Sequence, residues 1–112
     1  HHLAGRAPGA VSRELARFSA SMAEAMRSFE AAVGSGSRAE VSSASHRVLS
    51  LARMVGDDAM ASVAADLQEY AAAYSESELA QEAATLMRHA GELSCTLARL
   101  ADGAAVSPSA GA

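Results

Sequence analysis

Among the side chains able to take part in covalent or acid–base chemistry, His46 has the most informative surroundings. It lies in Ala44-Ser45-His46-Arg47-Val48-Leu49-Ser50-Leu51-Ala52-Arg53-Met54-Val55-Gly56. Imidazole is a nucleophile and a proton carrier near neutral pH, so what matters first is whether the ring can be reached. With His46 at zero on a helical wheel, Ala44, Val48, Leu51 and Val55 fall at about 160, 200, 140 and 180°. Val41 and Ala52 fall at about 220 and 240°. The apolar stripe is thus centred opposite the histidine, which is expected in the middle of the solvent face. Its neighbours there are Ser42 and Ser43 one turn before, and Leu49, Ser50 and Arg53 after. The small residues leave room for a partner to approach. Leu49 reads as a large apolar side chain on that exposed face, though single exposed leucines are common.

The other candidates are weaker. A lone exposed histidine is usually only a surface residue, and metal binding at His46 lacks partners, since no His, Cys or carboxylate lies three or four residues away. His89 falls beside an apolar seam and reads as a boundary residue with its polar edge wet. Cys95, the only cysteine, excludes an internal disulfide and falls on the far side of its helix from the seam. Asp57-Asp58 reads as a helix cap. There is no Gly-rich phosphate loop, so nucleotide binding has no support.

The elements that carry these residues are helices. Of 112 residues, 50% are hydrophobic and 4% aromatic, which argues against a β-sandwich or barrel and against disorder. Nine basic residues against thirteen acidic ones leave no electrostatic footprint for nucleic acid. No apolar run is long enough to span a bilayer, and one cysteine fits a reduced cytoplasmic setting. His1 and His2 read as the remnant of a purification tag, residues 1–9 as a leader and 103–112 as a flexible tail. Between them, Val11, Leu15, Phe18, Met22, Met26, Phe29 and Val33 make one helical face, stopped by Gly34-Ser35-Gly36.

A capping box, Ser37 with Glu40, opens the second helix, which runs to about Met54 and ends at Gly56. Asp57-Asp58 suits the positive end of a third helix, whose seam is Met60, Val63, Leu67, Tyr70 and Tyr74. A second box, Ser75 with Glu78, opens the fourth, with Leu79, Ala83, Leu86, Ala90, Leu93, Leu97 and Leu100 as its stripe and Asp102-Gly103 as its close. Four amphipathic helices with short connections predict an all-α, antiparallel up-down-up-down four-helix bundle over 10–102. In such a hairpin Asp66, Leu67 and Gln68 come level with His46. Leu67 belongs to the core, so Gln68 on its flank can reach sideways to the ring.

The stretch around His46 resembles the histidine phosphotransfer domains of bacterial phosphorelays, whose pattern is roughly A-H-x-L-K-G-x-x-x-x-[LIV]-G. His46 aligns with the phosphorylated histidine, Val48 with the apolar position, Ser50 with the small residue, and Val55-Gly56 with the closing pair. Leu67-Gln68 matches a downstream Leu-polar site. The similarity covers Val11 to about Leu100. Two departures stand out: Leu49 occupies the family's Lys position, and Ser45 replaces the alanine before the histidine.

What the resemblance implies is a phosphocarrier rather than an enzyme. His46 would accept a phosphoryl group from a receiver-domain aspartate and pass it to another, with Gln68 orienting the imidazole. Arg47, Leu49, Ser50, Arg53 and Met54 would form the docking surface for the receiver. No cofactor of its own is implied, because Mg2+ belongs to the partner. The module would be cytoplasmic, monomeric in isolation and without direct membrane contact, with a place at the C-terminus of a hybrid sensor kinase as one setting. The alternative is an interaction bundle of the same architecture that does not transfer phosphate, and the missing Lys is its best support.

Overall fold

In a computed structural model, which describes residues 8–105, four helices and no strands are found: α1 (Pro8–Ser35), α2 (Arg38–Val55), α3 (Asp58–Tyr70) and α4 (Glu76–Ala105). The tag remnant and most of the leader and tail lie outside the described residues. Each helix packs on its neighbours in a ring, α1 on α2, α2 on α3, α3 on α4 and α4 on α1. Cross-links show the direction of the pairs. Ser42 near the start of α2 donates to the Gln68 carbonyl near the end of α3 at 2.6 Å. Ser12 near the start of α1 donates to the Ala101 carbonyl near the end of α4 at 3.3 Å. The result is an all-α four-helix bundle.

The turns are built by the residues the sequence marked. Gly36 and Gly56 adopt φ of 75° and 78°, the left-handed region where a Cβ would be strained. At the second turn the Gly56 N–H reaches the Arg53 carbonyl at 3.2 Å and the Asp57 N–H the Ala52 carbonyl at 2.9 Å, satisfying the last carbonyls of α2. Asp57 caps α3, accepting from the Met60 N–H at 3.0 Å. The Ser75/Glu78 box is reciprocal, at 3.0 and 2.8 Å. The Ser37 box is only half formed. Ser37 accepts from the Glu40 N–H at 3.2 Å, but its own N–H goes to the Ser35 hydroxyl, which donates to the Ala32 carbonyl at 2.8 Å and lies only 3.4 Å from the Glu40 carboxylate.

Length differences shape the molecule. At about 1.5 Å per residue, α1 and α4 run past the α2–α3 hairpin by ten residues or so. The bundle measures 54 × 20 × 19 Å. Leu79, Leu86, Leu93 and Leu97 are buried in α4, but Leu100, next on the same stripe, is 54% exposed, because beyond the α2–α3 hairpin only α1 lies alongside α4 and it covers the Ala101 side. Helix α4 also continues through Asp102-Gly103 to Ala105 rather than closing there. Helix α3 is shorter than its expected seam. It ends at Tyr70, which is exposed contrary to expectation; Val63 and Tyr74 pack partly buried against the core, and Ala64 and Ala71 are the fully buried residues beside them.

Candidate functional site

His46 stands exposed near the middle of α2. Its surroundings differ from the wheel in one respect that changes the site. The buried residues of α2 are Val41, Ser45, Val48, Leu49 and Ala52, while Val55 is exposed and Ala44 and Leu51 are only partly covered. Helix α2 packs against both α1 and α3, so its buried arc is rotated by about 50° toward Leu49 compared with the arc read from apolar residues alone. Leu49 is therefore 5% exposed and belongs to the core. It is not a surface contact for a partner, contrary to the expectation from the sequence. The same rotation moves His46 from the middle of an open face to its α3 edge.

At that edge an open, shallow depression is lined by Ser42, His46, Leu49 and Arg53 of α2 and by Ala65, Gln68 and Glu69 of α3. The α2 members recur at intervals of four, three and four, a single stripe along the helix. The Ser42–Gln68 bond fixes the register. It sets Gln68 level with Ser42, about 6 Å below His46 rather than level with it. Side chains on a helix lean toward its N-terminus. In antiparallel neighbours His46 and Gln68 therefore lean toward each other, which is how both come to line one depression despite the offset. Among the described residues no hydrogen bond yet joins the two side chains.

The other expected contacts divide. Ser50 is exposed, with its hydroxyl turned back onto the His46 carbonyl at 3.1 Å. Arg53 is exposed and on the rim of the depression. Met54 is 72% exposed, well beyond His46 along the helix. Arg47 lies on the opposite flank, toward α1, where its guanidinium meets Glu24 at 2.9 Å. His89 is partly buried, with Nδ1 3.6 Å from the Glu92 carboxylate, and Cys95 is exposed. Among the described residues no three His, Cys, Asp or Glu side chains are grouped as a metal site, and no helix is long and apolar enough to cross a membrane.

Three features were not read from the sequence. Ser45 is fully buried and its hydroxyl has no hydrogen-bond partner, since a serine between His and Ala on a helix carries no sign of which neighbour covers it. Arg38 donates from Nη1 to the Ala71 and Tyr74 carbonyls, both at 2.6 Å, clamping the negative end of α3. Glu69 brings a carboxylate to the rim of the depression. Its hydrogen bond to Tyr70 and its charge hold the Tyr70 phenol above its ordinary pKa. Comparison with protein-family profiles, curated proteins and solved structures gives no significant match to this chain.

Proposed function

We propose that this chain is a histidine phosphotransfer module, a phosphorelay intermediate in which His46 accepts a phosphoryl group from a receiver-domain aspartate and hands it to another. The observation that carries the reading is an exposed imidazole on a capped helix, at the edge of a depression whose near side chains are small or sunken. Phosphoryl transfer passes through a loose transition state, so positioning and charge neutralisation supply most of the catalysis. A ring nitrogen lone pair attacks phosphorus, the aspartyl P–O bond breaks, and the carboxylate leaves. The receiver brings its own Mg2+ and the bundle supplies the acceptor. Gln68, leaning toward the ring, would accept a hydrogen bond from the other nitrogen when the phosphoryl group is taken up, and so fix its aim. Ser50, Arg53 and Met54 offer contacts along α2 for a weak, transient partner. The setting that goes with this chemistry is cytoplasmic, and a hybrid sensor kinase is one parent.

A second reading is favoured by position 49, where the family pattern carries Lys and this chain buries a leucine: an interaction bundle that binds receivers without accepting phosphate. The two separate cleanly. Receiver domains charged with 32P-acetyl phosphate are mixed with the wild type and with His46→Gln. Acid-labile, alkali-stable label on the wild type alone supports the carrier. Binding without label supports the second reading, and label persisting in His46→Gln refutes the role of that histidine.

A further inference from the structure

We infer that Arg53 is the phosphoryl-binding cation of this site, its guanidinium reaching back along α2 to the group carried on His46. The inference rests on the reading of His46 as a phosphoryl acceptor and adds how this chain meets the charge. A phosphorylated imidazole carries an anionic group that needs a nearby cation or backbone donors. The middle of a helix offers no free N–H, so a side chain must provide it.

The arginines nearest the histidine are not equivalent. Arg47 points to the other flank and pairs with Glu24. Arg38 is engaged by the Ala71 and Tyr74 carbonyls. Arg53, among the described residues, has no carboxylate partner, and it lines the same depression as His46. It stands two turns further on, about 10 Å along the axis, and its side chain leans toward the N-terminus, that is toward His46.

What makes that reach feasible is the intervening turn. A tall side chain at position 49 or 50 would separate guanidinium from ring. Leu49 is sunk in the core at 5% exposure, and the Ser50 hydroxyl is folded down onto the His46 carbonyl. The surface between Arg53 and His46 is thereby low, and the burial of Leu49 becomes part of the site rather than a defect in it. Glu69 faces the same depression from α3 and opposes the anion. Glu69 stands on the Ser42 side of His46 and Arg53 on the other, so an oxyanion attached to His46 is held from the Arg53 side.

The test uses phosphoramidate, a small donor that needs no protein partner. The imidazole lone pair attacks its phosphorus, the donor P–N bond breaks, and nitrogen takes a proton and leaves as ammonia. Charging is followed by intact mass and peptide mapping, with His46→Gln as the blank against His1, His2 and His89. Arg53→Gln should charge about tenfold more slowly than the wild type, Arg53→Lys should recover most of the rate, and Glu69→Gln should charge faster. Far-UV circular dichroism of each variant should match the wild type, since both positions are exposed. Equal rates for Arg53→Gln and the wild type overturn this inference alone, leaving His46 as acceptor. Absence of label at His46 in the wild type overturns the inference and the proposed function together.

Discussion

Replacing Ser45 by alanine should make the bundle more stable, although it removes a side-chain oxygen from a close-packed core. The Ser45 hydroxyl is at 0% exposure and has no hydrogen-bond partner, so folding strips it of water without return. That desolvation costs about 1–3 kcal/mol. Alanine also exceeds serine in helix propensity, by roughly 0.5 kcal/mol. Against this, a void on the order of 10 Å³ left by the oxygen costs about 0.3 kcal/mol. The balance is a stabilisation of ~1–3 kcal/mol. In urea unfolding followed at 222 nm the midpoint should rise by about 0.5–1.5 M with an unchanged slope. The thermal midpoint should rise by roughly 5–15 °C. His46 charging should not change, because the residue faces away from the ring. A midpoint equal to or below the wild type would refute the reasoning, since it would mean the hydroxyl has a partner, such as a buried water, that the helix packing conceals.

Other expectations test the site and its supports. Leu49→Ala should cost about 2–4 kcal/mol in denaturant unfolding, as a core truncation does, whereas Arg53→Ala should stay within about 0.5 kcal/mol. Similar losses for both would remove Leu49 from the core. Gln68→Ala should slow His46 phosphorylation with little effect on unfolding, and an unchanged rate would take Gln68 out of the site. Arg38→Met should lose about 2 kcal/mol and speed amide exchange at Ala71, Ala73 and Tyr74, because the clamp on the end of α3 is gone. Both tyrosines should titrate above the ordinary phenol range in an ultraviolet pH titration. For Tyr70 the cause is Glu69, by hydrogen bond and then by charge; for Tyr74 it is burial first, then the nearby carboxylates. The folded state then binds more protons than the unfolded one, so stability is complete below about pH 10 and falls as pH rises through the folded values. Coincident titration in the folded protein and in urea would contradict this.

The sequence alone determined the four helices and most of the turns between them, because those depend on neighbours a few residues away, though α3 stops short of its expected seam and α4 runs past its expected close. Apolar spacing, the Ser75/Glu78 box, the Asp57 cap and the glycines at 36 and 56 are local, and they gave four helices in the right order. It also put His46 outside, since a ring opposite most apolar residues stays wet under modest rotation of the helix. The tertiary structure decided what depends on which helices lie alongside. Packing α2 between α1 and α3 rotated its buried arc, so Leu49 and Ser45 went inside and Val55 came out. The unequal helix lengths exposed Leu100, and the inter-helix register set Gln68 a turn below the histidine. A helical wheel has an angle but no neighbour, and burial is a property of the pair.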